Sequence, residues 1–211
     1  MGADGVSTRL ADLLRHGQTE GGACFRGSRD DPLTAQGWAE LRAATAPELS
    51  GAAPAWDLVI TSPARRCAEF ARELGQRLER PVRELPGLRE RHFGTWEGCT
   101  AAAIPAPELD AFWRDPGGYT PPGAEPFAAF RQRVATAWRG ILAAPAQRQL
   151  VLTHGGVLRV ILGEVLGMAD ASLLLLEVPH ACRSRVRLPD GAGLPSLVAH
   201  GCDGGPPRAD R

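Results

Sequence analysis

Two histidines sit where apolar runs end and glycine begins. His16 follows Leu13-Leu14-Arg15 and precedes Gly17; His154 follows Leu150-Val-Leu-Thr153 and precedes Gly155-Gly156. A third apolar run, Asp57 to Thr61, leads through Ser62-Pro63 into Arg65-Arg66. An imidazole can act as nucleophile or base near neutral pH, and arginine's planar fork grips two oxygens of a phosphate or carboxylate at once. At the carboxyl edge of an open α/β sheet such segments converge, and a helix start adds free N–H groups for an anion. Taken singly, each feature has an ordinary structural explanation. Their recurrence at matching strand ends points instead to one anion-binding site with an imidazole inside it.

The elements needed to position these residues are legible. A strand ends at Leu13-Leu14, a turn-rich loop runs from Gly21 to Pro32, and Thr34 caps a helix reaching Leu49. Asp57 to Thr61 is a strand, and Ser62-Pro63 starts a helix with Pro in its first turn. Cys67, Phe70, Ala71, Leu74 and Leu78 form that helix's apolar stripe. Pro105 to Pro126 reads as loop with a short helix at Leu109 to Trp113. Pro126 opens a long helix with Phe127, Phe130, Val134, Ala137 and Ile141 on one face. Leu150 to Thr153 is a strand, Val157 to Leu166 a helix, and Leu173 to Val178 and Ser184 to Leu188 are late strands. The expected fold is α/β: a three-layer sandwich with a mostly parallel central sheet and helices on both faces. Residues 1–200 form a single domain, and 201–211 are expected to be a disordered tail.

Composition removes several mechanisms. The 211 residues carry 24 basic and 24 acidic side chains; every basic one is arginine, and asparagine is absent too. No Schiff-base lysine, Walker lysine or asparagine-dependent triad is available. The neutral balance argues against a nucleic-acid partner, and Arg183, Arg185 and Arg187 read as a solvated edge face. Five cysteines, odd in number and without a CxxC pair, imply reduced thiols with neither a disulfide framework nor a zinc site. No run is long enough to span a bilayer. The first residues show no signal-peptide pattern, and Val6 stands where myristoylation needs Ser or Thr. A cytoplasmic protein without membrane partners is expected.

Several blocks together resemble the histidine phosphatase superfamily, which includes the cofactor-dependent phosphoglycerate mutases. They are Leu13-Leu-Arg-His16-Gly-Gln-Thr-Glu20, Thr61-Ser-Pro-Ala-Arg-Arg66, Leu88-Arg-Glu90-Arg-His-Phe-Gly-Thr-Trp-Glu-Gly98 and Val151-Leu-Thr-His154-Gly-Gly-Val157, in that order. Asp31-Pro-Leu-Thr34 and Pro122-Gly-Ala-Glu125 also fit, so the resemblance covers about residues 9 to 190.

The resemblance implies catalytic roles for His16, Glu90, Arg15, Arg66 and His154. His16 is the nucleophile, since a neutral imidazole can approach a phosphate dianion without repulsion. Arg15, Arg66 and His154 surround the transferring oxygens and take the part a metal would otherwise play. Glu90 protonates the leaving alkoxide and then activates water, so it must carry a proton when substrate binds. Arg15, Gly17, Arg26, Arg66, His154 and Gly155 are the expected substrate-binding residues; neither a metal nor a cofactor is expected. His92 is read as structural, Glu97 as pairing with an arginine or capping a turn, and Trp96, Phe112 and Trp113 as core. The sequence departs from the family at Glu20 to Ala23, where an asparagine contacting phosphate is often found and here is missing.

Within the superfamily, Trp96-Glu-Gly98 resembles the phosphatase branch, and the shortened Gly21-Gly22 loop, Phe25-Arg-Gly-Ser-Arg-Asp-Asp-Pro-Leu-Thr34, Pro121-Pro-Gly-Ala-Glu125 and Val178-Pro-His-Ala-Cys182 together resemble bacterial α-ribazole phosphatases, which remove a 5′-phosphate late in cobalamin biosynthesis. The expected partner is therefore a small phosphorylated metabolite, and a homodimer is compatible with the sequence. Alternatives are a broad-specificity sugar or nucleotide phosphatase, a phosphoglycerate mutase-type phosphotransferase, or a catalytically silent phospholigand-binding protein.

Overall fold

A computed structural model describes residues 9–189, 191 and 193–201. Six strands form one sheet in the order β3-β2-β4-β1-β5-β6, where β1 is Leu10–Arg15, β2 Leu58–Thr61, β3 Val82–Glu84, β4 Arg148–Thr153, β5 Arg183–Arg187 and β6 Ser196–Gly201. The ladders from β3 through β1 are parallel; β5 runs antiparallel to β1 and to β6.

The strand alternation assigns the two faces. Ala11, Leu13, Ile60 and Val151 pack against α4 (Phe127–Ala143) and α5 (Gly155–Leu166). Leu14, Val59, Leu150 and Leu152 pack against α1 (Ala35–Leu49) and α2 (Arg65–Leu78). Side chains one residue apart on a strand face opposite layers, and the result is the three-layer α/β sandwich. A smaller cluster of Trp96, Ile104 and Phe112 with Phe25, Phe93 and Tyr119 lies beside it; the segment 94–121, with α3 (Ala106–Arg114), builds it. Among the described residues no helix is long and apolar enough to cross a membrane.

Thr34 caps α1 by accepting from Gly37 N, and Pro126 directly precedes α4. Four expectations need correction. Pro63 lies outside α2, whose first residue is Arg65: Ser62 Oγ accepts from Ala64 N and Asp30 from Arg65 N, so side chains shape the turn before the helix. Leu173 to Val178 is not a strand. Asp170–Leu175 winds as a 3-10 turn, placing Leu173 over α5 so closely that a Cβ on Gly163 would come within 2.3 Å of it. Leucines, which are not branched at Cβ, have little β preference to resist this.

Arg183 and Arg185 are not on a solvated edge, because the short, mostly exposed strand β6 covers β5. Their guanidiniums pair with buried Asp12 and Glu48, leaving Arg187 exposed. Gly201 ends β6 rather than opening a tail; 202–211 lie outside the described residues.

Candidate active site

The sheet register brings the chemistry to one level. Arg15 pairs with Thr153 across β1 and β4, and Thr61 with Leu152 across β2 and β4. His16, Ser62 and His154 therefore leave the same carboxyl edge side by side, and backbone bonds from His16 N to Thr153 O and Ser62 N to Leu152 O (2.9 and 3.0 Å) continue the ladder past the strand ends. The rings of His16 and His154 stand 5.3 Å apart, edge to face.

His16 is buried, and its Nδ1 lies 2.8 Å from Gly17 O. A carbonyl only accepts, so Nδ1 carries the proton and Nε2 keeps its lone pair. Burial, reinforced by the Arg15 and Arg66 guanidiniums, holds the imidazole well below its ordinary pKa, so it is neutral. Gly17 is required here: a Cβ would lie 2.2 Å from Gly37 O in the first turn of α1.

His154 is neutral for the same reasons, burial first and then Arg66 and His16. Arg66 Nε donates to its Nδ1 at 3.2 Å, which leaves the Nε2 proton for Ser62 Oγ at 2.8 Å. Arg66 is itself buried, with its Nη groups donating to Arg29 O and Gly27 O (2.6 and 2.9 Å), whereas neighbouring Arg65 lies outside, paired with Glu69. Cys67 packs behind the second histidine, its sulfur 3.9 Å from Nε2, and burial pushes its thiol up to about 12. It is a filler, not a nucleophile.

Arg15 anchors one Nη on Val178 O at 2.6 Å, while its buried Nε has no partner. Burial and the adjacent Arg159 bring this guanidinium down to about 10, against the pull of Glu90. A buried donor without an acceptor is costly, and here it marks where anion oxygens would fit.

Glu90 arrives from the turn after Pro86–Leu88 and spans to α5. Oε1 accepts from Arg91 N and Oε2 from Gly156 N, both at 2.9 Å. Gly156 leaves no room for a side chain, since a Cβ there would lie 2.3 Å from Glu90 Oε1, whereas one at Gly155 would occupy the space beside Arg159 Nη1 and Arg15 Nε, 3.3 and 3.5 Å away.

Other expected residues have supporting positions. Arg26 donates to Asp31, Glu20 O and Gly22 O, tying together the loop in which the asparagine is missing. Among the described residues Glu97 forms no ion pair with an arginine side chain; it accepts from the backbone N–H groups of Ser28, Arg29 and Phe93 and so staples that loop to the 93–97 turn. Its Oε1 would be 2.2 Å from a Cβ on Gly27, which has φ 38°. His92 accepts from Gly94 N within the same turn. Trp96 and Phe112 are core, but Trp113 is half exposed.

Sequence reasoning missed four contributors. Ser62 completes the His154 contacts; His180 places its ring 5.8 Å from that of His16; Arg133 braces Glu90 from α4; and Arg159 lines the space beside Glu90. A helical signal for Arg159 existed, since it follows Gly155 by four residues and so shares its face.

Beside Arg15 and Glu90 opens a cavity of about 230 Å³ whose walls include Phe25, Phe93, Phe112, Trp113, Phe127 and Phe130. A larger groove of about 600 Å³ between Leu85 and α4 holds none of the five clustered residues Arg15, His16, Arg66, Glu90 and His154. Of those five, Arg15 and Glu90 line the smaller, aromatic cavity; Glu90 also borders a third space of about 470 Å³ together with Gly27, Ala64, His92 and Arg133.

A sequence profile of the histidine phosphatase superfamily (branch 1) matches residues 12–200. The chain is 33% identical to a glucosyl-3-phosphoglycerate phosphatase of Mycolicibacterium vanbaalenii over 175 residues, 77% of this chain and 76% of that one. It is 30% identical to an adenosylcobalamin/alpha-ribazole phosphatase of Salmonella typhimurium over 185 residues, 85% of this chain and 90% of that one. The crystal structure of the alpha-ribazole phosphatase from Shigella flexneri superimposes with a TM-score of 0.78 at 26% identity, covering 92% of this chain and 96% of that one.

Proposed function

The chain belongs to the histidine phosphatase superfamily and is a phosphatase, and on that premise we propose that it is a metal-independent phosphomonoesterase working through a phosphohistidine at His16, whose substrate is α-ribazole 5′-phosphate or its cobamide form. The observation that carries the reaction is the tautomer of His16: with Nδ1 bound to Gly17 O, a neutral Nε2 lone pair is left among Arg15, Arg66 and His154.

In the first half-reaction Nε2 attacks phosphorus in line, the N–P bond forms, and the P–O ester bond breaks. The departing oxygen takes the proton of Glu90. In the second, water attacks phosphorus, gives a proton to Glu90, and the N–P bond breaks to release inorganic phosphate. Arg15 and Arg66 offset the charge on the equatorial oxygens. Arg66 also holds His154 through Nδ1, and we assign Arg26 to shaping the loop around the phosphate. Gly17 fixes the nucleophile's tautomer, and Gly155 gives oxygens access to Arg15.

The aromatic cavity supports the choice of leaving group. A ribose bearing a benzimidazole presents a flat apolar ring a few bonds from its phosphate, and rings stack on such walls. The named α-ribazole phosphatases among the relatives support the same reading. Free thiols at Cys24, Cys67 and Cys99 accord with a reducing, cytoplasmic setting.

The test is a phosphate-release screen in EDTA. It compares α-ribazole 5′-phosphate with glucosyl-3-phosphoglycerate, phosphoglycerates, sugar phosphates and nucleotides, alongside trapping of labelled phosphate on His16. α-Ribazole 5′-phosphate should give the highest kcat/KM, with label lost in His16→Ala. A higher value for another ester replaces the substrate; activity abolished by EDTA, or label absent from His16, overturns the mechanism.

A further inference from the structure

Arg159 has no task in the reaction as derived above. It projects from α5 into the aromatic cavity beside Glu90, Gly155 and Gly156. Its Nε donates to Leu176 O at 3.0 Å, which fixes the stem. Its Nη1 stands on one side of the space above Gly155 with Arg15 Nε on the other, 3.3 and 3.5 Å from where a Cβ would be. Among the described residues no carboxylate lies within ion-pair distance of Arg159, although Arg131, Arg133, Arg183 and Arg185 all have one. Nor does it lie over a ring, as Arg91 does over Phe93 and Phe127. Two guanidiniums thus face one partly buried space, an arrangement that is repulsive unless an anion separates them.

Arg15 is accounted for by the transferring phosphoryl group; Arg159 is not. The charges that bear most on His16 are Arg15, Arg66 and His180, without Arg159. Those that bear on Arg159 are Glu90, Glu177 and Cys182, and the cavity that Arg159 lines holds Arg15 and Glu90 but none of His16, Arg66 and His154. Arg159 therefore stands on the Glu90 side, where the leaving oxygen must be protonated and where the leaving group must lie.

We propose that Arg159 is a binding subsite for a second anionic group, a carboxylate or a phosphate ester, carried by the leaving alcohol. It rests on the phosphatase reading and not on the α-ribazole assignment: α-ribazole 5′-phosphate, charged at one point only, would leave this subsite empty, and a doubly charged ester that outpaces it in the screen would replace it as substrate. For a nucleoside-like substrate the second charge would be a phosphate on the ribose; for a phosphorylated hydroxy acid it would be the carboxylate. Arginine suits either, because its fork meets two oxygens while the aromatic walls exclude water that would compete.

Matched pairs test it. Glycerol 3-phosphate and 3-phosphoglycerate differ by a carboxylate; adenosine 5′-monophosphate and adenosine 3′,5′-bisphosphate differ by a ribose phosphate. In the wild-type protein kcat/KM should favour the doubly charged member of at least one pair, and which pair responds identifies the second group. Arg159→Gln should reduce that preference about 10- to 100-fold, as loss of a charge-assisted bond implies, and Arg159→Lys should restore part of it. The same ratios measured as affinities by calorimetry on a His16→Ala background need no turnover, so a failed phosphatase reading stays distinguishable from a failed subsite. Equal preferences in wild type and Arg159→Gln, or slowing that follows leaving-group basicity instead of the second charge, would overturn the subsite.

Discussion

Arg133 holds Glu90 by its backbone: one Nη2 hydrogen goes to Glu90 O at 2.9 Å and the other to Glu125 Oε2 at 2.8 Å. Nε donates to Glu125 Oε1, and Nη1 to Gly87 O and Arg89 O (2.7, 3.0 and 2.6 Å). A guanidinium has five N–H donors, and here each has an acceptor. The segment 87–90 is thus fastened to α4 at three carbonyls, and the Glu90 carboxyl is aimed from a fixed base.

This makes Arg133 a positioning residue with a specific signature. Arg133→Lys keeps the charge but cannot reach all these acceptors. Proton donation matters for an alkoxide and little for p-nitrophenolate, so misaiming Glu90 should raise the p-nitrophenyl-to-alkyl phosphate rate ratio by about tenfold, roughly 1.4 kcal/mol in the barrier. Glu90→Gln should move the ratio further in the same direction. If Arg133→Lys slows both esters equally, its role is only structural.

Gly156→Ala offers a cleaner separation of activity from stability. The new Cβ would fall 2.3 Å from Glu90 Oε1 and 3.0 Å from its carboxyl carbon, so the carboxyl must swing away from Gly156 N. Alanine favours the helical backbone by about 1 kcal/mol over glycine, which offsets part of the strain. Alkyl phosphate turnover should fall about 100-fold while the melting temperature moves by only a few degrees. A large loss of melting temperature alongside activity would place the clash in the fold instead of the acid.

Of the residues assigned to the reaction, Arg15, His16 and His154 were readable because they lie where a continuous apolar run ends at the sheet edge, and Arg66 because it opens the helix that follows such a run; Glu90, in the turn after Pro86–Leu88, was legible only through the family resemblance. The supporting residues lacked that punctuation. Arg133 sits on α4 beside the apolar stripe of Phe130, Val134 and Ile141, where an arginine ordinarily meets solvent. Only the three-dimensional return of residues 87–90 gives it carbonyls to bind. Arg183 and Arg185 were misread because β6, Ser196–Gly201, is short and mostly exposed, with only Leu197-Val-Ala199 to mark it as a strand, so β5 looked like an edge. The four leucines from Leu173 were misread since a short apolar run fits strand or helix equally, and only contact with Gly163 decides it.

The two buried neutral histidines predict acid sensitivity. In the unfolded chain an imidazole gains a proton near pH 6.5, whereas His16 and His154 in the folded protein resist until well below that, burial being the main cause in both. Below about pH 6.5 the unfolded state therefore binds more protons, and stability falls as pH falls, by at most about 1.4 kcal/mol per pH unit for each group. Above 6.5 both states are neutral there and the dependence should flatten. Urea unfolding between pH 5 and 8 measures it, and His154→Gln should halve the acid slope. A slope unchanged by that substitution would mean His154 is already protonated in the fold.

The aromatic cavity makes the last prediction, about which substrates the wall reads. Trp113 is 51% exposed and packs on Phe112 and Phe25, with ring centroids 5.0 and 6.3 Å away. Being at the rim, it contributes little to the core, and Trp113→Ala should leave the fold intact. A ring stacked on it should lose about 1–3 kcal/mol of binding on its removal. The kcat/KM ratio of α-ribazole 5′-phosphate to glycerol 3-phosphate should therefore drop about tenfold or more, mostly through KM, since Trp113 would meet the leaving group's ring and not the bonds that change. A ratio that stays constant would show that the leaving group's ring lies elsewhere, and the walls would then serve only to keep water from Glu90 and Arg159.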